Sequence, residues 1–190
     1  MGSKVQNIVL GTLTVCLISL TVIYAVLTQK LDINTNANSK SSTWDIHFEN
    51  LNSSVIGKAK LSSDNQLAII NDSTTISGSV GNLYLPGDSI IYTFDIVNGG
   101  TIPAVLSISP TISAPECSSL SMTSSNDVCS NVEYTLTYDD GTDIRTGDYL
   151  DKGEKRAAKL TLSLKETMSS VPGEDVDITN IAATLFYSQK

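Results

Sequence analysis

Ile90-Ile91-Tyr92-Thr93-Phe94-Asp95-Ile96-Val97 is the stretch that decides the fold. Ile90, Tyr92, Phe94 and Ile96 alternate with Ile91, Thr93, Asp95 and Val97, the two-residue period of a β-strand. Both sets are largely apolar, so the strand is expected to be buried on both faces. Trp44, Ile46 and Phe48 alternate in the same way with Asp45, His47 and Glu49, a half-buried pattern. Further strands are expected at Val55 to Leu61, Leu67 to Ile70, Thr74 to Val80, Ile102 to Ile108, Val132 to Tyr138, Lys159 to Leu164 and Val176 to Tyr187.

Turn signals stand between these runs: Leu85-Pro86-Gly87-Asp88, Asn98-Gly99-Gly100, Asp139-Asp140-Gly141, Asp151-Lys152-Gly153 and Val171-Pro172-Gly173. Proline presets φ and glycine accepts positive φ, so the chain reverses there. About eight short strands at this spacing favour an all-β domain, an antiparallel β-sandwich, over a barrel or an α/β sheet. No run after Lys30 carries a 3.6-residue period, so the one helix expected is N-terminal.

That helix is read from residues 8–27, IVLGTLTVCLISLTVIYAVL, which carry no charge and are long enough to cross roughly 30 Å of hydrocarbon. Lys4 precedes the run, while residues 31–190 hold 20 acidic and 10 basic side chains. The positive-inside tendency therefore puts the N-terminus in the cytoplasm and the domain outside, at the cell surface or beyond it. Residues 1–30 then serve either as a signal anchor or as a signal peptide cut by signal peptidase near Ala25. Residues 31–42 form a strand or linker, and residues 43–190 the β domain. The same acidic excess argues against nucleic acid as a partner. With 41% hydrophobic and 17% charged residues, the chain is not a highly charged disordered one.

Cys16 lies within the apolar run; Cys117 and Cys129 are separated by eleven intervening residues in a polar, Ser-rich stretch expected to be a loop. In an oxidising compartment a disulfide is the favoured pairing, contributing on the order of 3 kcal/mol. A two-Cys metal site lacks further Cys or His ligands nearby.

Catalytic chemistry finds little support. His47 is the only histidine, so no two-His zinc site can be built in one chain, and neither an HExxH nor a G-x-S-x-G signature occurs. No glycine-rich phosphate loop opens a helix, so no nucleotide cofactor is expected. Asp139, Asp140 and Asp143 offer oxygen ligands to calcium but lack the order of an EF-hand loop. Asp and Gly also sit there because they make a good turn. Asn52-Ser53-Ser54 and Asn71-Asp72-Ser73 match the glycosylation acceptor pattern.

Leu31, Ile33, Thr35 and Ala37 alternate with Asp32, Asn34, Asn36 and Asn38. This segment is a first strand of the domain, a solvated tether, or a strand that leaves its own domain to complete a neighbour's sheet.

The leader ending near Tyr24-Ala25, the short alternating segment after it, and Thr43-Trp44-Asp45-Ile46-His47-Phe48 together resemble the TasA/camelysin family. These are Gram-positive exported surface proteins matured by a SipW-type signal peptidase. Leu85-Pro86-Gly87-Asp88-Ser89 and Tyr92 to Ala104 extend the likeness loosely over most of the chain. The resemblance implies a jelly-roll-like sandwich assembling with copies of itself into biofilm-matrix fibres, Leu31 to Ser39 being the donor strand. Camelysin is described as a surface metalloprotease, a label for which this chain supplies no ligand set. A surface binding module or adhesin, recognising a glycan or another surface protein, is the alternative from a different class.

Overall fold

A strand that is apolar on one face must lay that face against another layer, and the two longest period-two runs do so side by side. The computed structural model describes residues 2, 14, 17–20, 41–70, 73–168, 171–172 and 174–190. It divides into two units, Met1–Ser41 and Ser42–Lys190. In the first, residues 2, 14 and 17–20 are helical. Among the described residues no helix is long and apolar enough to cross a membrane. Most of the expected spanning segment 8–27 lies outside them, as do Ala25 and the alternating segment with Leu31, Ile33, Thr35 and Ala37.

The second unit is all-β and antiparallel. Its strands are β1 (Ile46–Ile56), β2 (Lys60–Leu61), β3 (Ala68–Ile69), β4 (Thr75–Gly78), β5 (Gly81–Asn82), β6 (Ser89–Asn98), β7 (Ala104–Leu106), β8 (Thr111–Ile112) and β9 (Glu116–Ser118). After helix α1 (Met122–Asn131) come β10 (Val132–Tyr138), β11 (Tyr149–Leu150), β12 (Lys155–Leu164), β13 (Asp177–Thr179), β14 (Ile181–Thr184) and β15 (Tyr187–Gln189).

The main sheet has the order β1-β6-β12-β10. Register pairs Phe94 with Ala158, Tyr92 with Leu160 and Ile90 with Leu162, and β10 continues the row with Tyr134 opposite Leu162. The inward β6 and β12 side chains, with Ile96 and Leu164, are buried and Tyr134 is half-buried; on the opposite face Ile91, Thr93 and Asp95 are half exposed. The expectation that 90–97 is buried on both faces is therefore corrected: one face meets the second layer and the other meets solvent. Val97 alone among the outer set is buried.

The facing strands form three short ladders, β2-β5-β13-β9, β3-β4-β14-β8 and β11-β7-β15. They are successive stretches of the same chain segments, because bonds between the ladders carry the pattern on: Val80 N–H to Ile178 O, Ser113 N–H to Ala182 O, Ser107 N–H to Phe186 O and Leu185 N–H to Thr74 O. The single run expected at Val176 to Tyr187 is thus broken twice, at Asn180, which takes φ 56°, and at Leu185-Phe186. Gly81, at φ 124°, permits the close approach of the Lys60 to Ser62 backbone, where any side chain would collide. Ile76, Val80, Leu106, Ile178, Ile181, Ala183 and Leu185 from these strands join Phe48 and the inward β6 and β12 residues in one core. Burial of these side chains is the main stabilising term.

Three further expectations are corrected. Val55 to Leu61 is not one strand: Val55 and Ile56 end β1, and a turn at Gly57-Lys58 leads into β2. Trp44 precedes β1 and is exposed. The Ser-rich stretch before Cys129 is helical. Ser121 caps α1, its Oγ accepting the Ser124 N–H at 3.4 Å, and Val128 is wholly buried. Ser and Asn are poor helix formers, so α1 owes its place to Val128 packing and to the Cys117–Cys129 disulfide, not to propensity.

Candidate functional site

The acidic turn after β10 lines an open concavity of about 890 Å³, with Tyr138, Asp139, Asp140, Asp143, Arg145 and Asp148 on its walls. Several of its side chains are held by hydrogen bonds or an ion pair. Asp140 Oδ1 accepts the Thr142 N–H at 2.9 Å and the Thr142 hydroxyl at 2.7 Å, and those two bonds hold its carboxyl below the ordinary value. Asp143 pairs with Arg145 at 2.9 Å. Asp148 accepts the Tyr138 hydroxyl at 2.9 Å and the Arg145 N–H at 2.8 Å. Burial, reinforced by the Asp148 contact, pushes Tyr138 up to about 12. Among the described residues no three His, Cys, Asp or Glu side chains stand so as to hold a metal ion. The structure brings Asp139, Asp140 and Asp143 onto one turn without converging them on a cation position.

His47, on β1, donates its Nδ1–H to Asp45 Oδ1 at 2.8 Å. The pair ties the ring to the residue that immediately precedes β1. Cys117 and Cys129 are bonded, with Cα atoms 5.8 Å apart, and the bridge ties α1 to β9.

β1 and β10 are the outer strands of the main sheet. Asn98 exchanges backbone bonds with Gly153 and Glu154 on the β12 side, so the odd-numbered residues of β6 turn their backbone groups to β1. Between Glu49 and Asn52 the register shifts, Glu49 facing Asp95 and Asn52 facing Thr93, so β1 carries one extra residue there. Asn50 accommodates the bulge at φ 58°, donating its Nδ2 to Asp95 Oδ2 at 2.8 Å, and Asn52 Nδ2 donates to the Asn50 carbonyl at 2.8 Å.

The bulge exchanges the faces of β1. Phe48 points inward before it; after it, Ser53 and Val55, opposite Tyr92 and Ile90, take the inward face. Asn52, Ser54 and Ile56 turn their backbone groups to β6, and Ser53 and Val55 turn theirs away from the sheet, where no strand lies among the described residues. Val55 is 45% exposed despite its inward direction, and Ile56 is 53% exposed. Nearer its start, β1 is covered: the Phe48 N–H donates to Ser73 O at 3.1 Å.

The opposite rim is more closed. Val132 is buried, Tyr134, Leu136 and Tyr138 are half-buried, and the Tyr138 N–H donates to Thr142 O at 2.9 Å. The half-open stretch of β1 is invisible to period-two reading, because alternation alone puts Asn52, Ser54 and Ile56 on the Phe48 face. An Asn-Leu-Asn sequence within a strand is the one local signal for the bulge, asparagine being the non-glycine residue that most readily takes positive φ.

Compared with protein-family models, curated proteins and solved structures, the chain finds no match in any of the three.

Proposed function

We propose that this is an extracellular structural or interaction protein of a Gram-positive cell surface. Its β domain, a β-sandwich of jelly-roll-like form, acts by strand addition between copies, with Leu31 to Ser39 as the donor and Leu31 and Ile33 as its anchoring side chains. The observation that carries this reading is the uncharged rim of the main sheet at Asn52 to Ile56, whose outer side has no partner strand among the described residues. Such an edge offers main-chain donors and acceptors to an extended segment, and the segment's alternating residues supply the fit. Most natural edges are protected by charge, proline or a covering loop, and this stretch has none of the first two.

The test is to express the full chain in a Gram-positive host and examine the surface fraction by electron microscopy and light scattering. Ordered multimers that vanish when Leu31 and Ile33 are changed to Asp support the reading. A strictly monomeric protein, or multimers indifferent to those changes, counts against it. Intact mass of the same material decides between a retained leader and cleavage near Ala25.

A second reading, a surface binding module, is favoured by one observation: Leu120 is fully exposed and Met122 is 80% exposed, beside the disulfide. Adhesion of the monomer to cells or glycans, lost on Leu120→Ser, selects that reading.

A further inference from the structure

We infer that the solvent face of the main sheet, in the two rows that pass through Ala157 and Lys159, is a binding trough for a linear glycan of amine-bearing sugars. The inference goes beyond the strand-addition reading and uses neither the Leu31 to Ser39 segment nor the outer edge of β1.

Register builds the trough. Ala157 pairs with Asp95 and Asp95 with Glu49, and the Asp139 N–H donates to the Ala157 carbonyl at 2.9 Å. One row therefore runs Asp139, Ala157, Asp95, Glu49 across all four strands. The next runs Thr137, Lys159, Thr93, Asn52. At the usual strand spacing each row is about 14 Å long. Both face away from the core, because their β6 and β12 members alternate with buried Phe94, Ala158 and Leu160.

Ala157 is the low point. It is exposed, and the long side chains on either side of it along β12 are drawn to opposite edges of the sheet. Lys155 pairs with Glu49 on β1, and Lys159 Nζ donates to the Asp139 carbonyl at 2.9 Å. The concavity beside the acidic turn and a second one of about 320 Å³, walled by Asn50, Asn52, Thr93 and Asp95, share Asp139 and Ala157. The two are thus one depression that crosses the sheet.

Its polar groups are partly fixed and partly unused. Asn50 Nδ2 donates to Asp95 Oδ2 and Asn52 Nδ2 to the Asn50 carbonyl, each at 2.8 Å, which orients both amides and one carboxylate. Asp95 Oδ1, the Asp139 carboxylate and the Thr93 and Thr137 hydroxyls bond to no protein group among the described residues. Carboxylates that accept and hydroxyls that donate or accept match a ligand rich in hydroxyl and amine groups.

Charge narrows the class. Arg145 and Arg156 are paired with Asp143 and Glu154, and Lys155 with Glu49. Asp95, Asp139 and Asp140 then face Lys159 as the one cation not paired with a carboxylate, so an anionic polymer is repelled and an amine-bearing one attracted. The two rows hold no aromatic or large aliphatic side chain, the groups on which protein partners anchor.

The experiment titrates the full chain with glucosamine oligomers, their N-acetylated counterparts, a sulfated glycan and oligolysine. Glucosamine oligomers are expected to bind, less tightly as salt is raised. Their affinity should fall by about tenfold or more in Ala157→Trp, which fills the floor on the solvent face, and in Asp139→Asn. The urea midpoint of each variant checks its fold. In the parent protein the amide resonances of Thr93, Thr137 and Ala157 should shift on binding, a readout that needs no variant. Leu120→Ser, and Leu31→Asp with Ile33→Asp, should bind like the parent, so failure of either functional reading leaves this result standing. Absence of binding, shifts confined to another face, or indifference to Ala157→Trp overturns the inference. So does equal or tighter binding of the acetylated oligomers, the sulfated glycan or oligolysine, the last pointing to a basic protein partner instead.

Discussion

The Asp88 carboxylate accepts the backbone N–H of Lys58 at 2.9 Å, joining the turn that ends β1 to the turn that opens β6. Its other oxygen accepts the N–H groups of Tyr84 and Leu85 at 2.9 and 2.8 Å. Asp88 is nearly inaccessible to solvent, and Gly57 lies so close that a side chain there would strike the carboxylate. The Pro-Gly-Asp signal is therefore both a turn and the clip that anchors the open half of β1.

Replacing Asp88 with Ala should strand three N–H groups and cost on the order of 3 kcal/mol, read as a lowered midpoint in urea unfolding. Burial alone would raise the Asp88 carboxyl. The N–H groups of Lys58, Leu85 and Tyr84, with the Lys58 charge, outweigh it and hold the carboxyl below its ordinary 3.8. A depressed carboxyl stabilises the fold above its unfolded value, and that contribution fades as pH falls through the folded one. Stability should then drop below about pH 4, less steeply in Asp88→Asn than in the parent. Equal acid sensitivity in the two proteins would refute the assignment.

Reducing Cys117–Cys129, or replacing both with Ser, should cost on the order of 3 kcal/mol and diminish the helical part of the far-ultraviolet spectrum. The two effects are expected together, since α1 has little intrinsic propensity and is tied down by that bond. A thermal midpoint unmoved by reductant would show that Val128 packing suffices.

Tyr92 and Tyr138 are both pushed up to about 12, Tyr92 by burial and Tyr138 by burial together with its bond to Asp148. A raised tyrosine favours the protonated fold, so its contribution is complete below the unfolded value of 10 and disappears as pH climbs towards 12. Absorbance titration should show tyrosines ionising late, in step with alkaline unfolding, and Tyr138→Phe should remove one of them. Full ionisation near pH 10 with the fold intact would contradict this.

Much of the fold was legible locally. Val132 to Tyr138 was expected and is β10 residue for residue; the turn signals at Leu85 to Asp88, Asp139 to Gly141 and Asp151 to Gly153 all fall between strands. The pairing of Cys117 with Cys129 followed from their spacing and isolation. Helix α1 was missed because its Ser-rich residues show no apolar period, and a ten-residue helix of poor formers exists only through tertiary contacts.

Alternation along residues 90–97 and 132–138 determined β-strands by itself, because a two-residue period places alternate side chains on opposite faces of a strand, and the turn signals between the runs pointed to antiparallel pairing. Which rim of that domain stays open was decided only by the tertiary structure. One extra residue at Asn50-Leu51 reverses the faces of β1, and the Ser73 carbonyl covers its beginning but not its end. Both depend on contacts between segments distant in the chain, and no local pattern encodes which backbone groups those contacts leave unpaired.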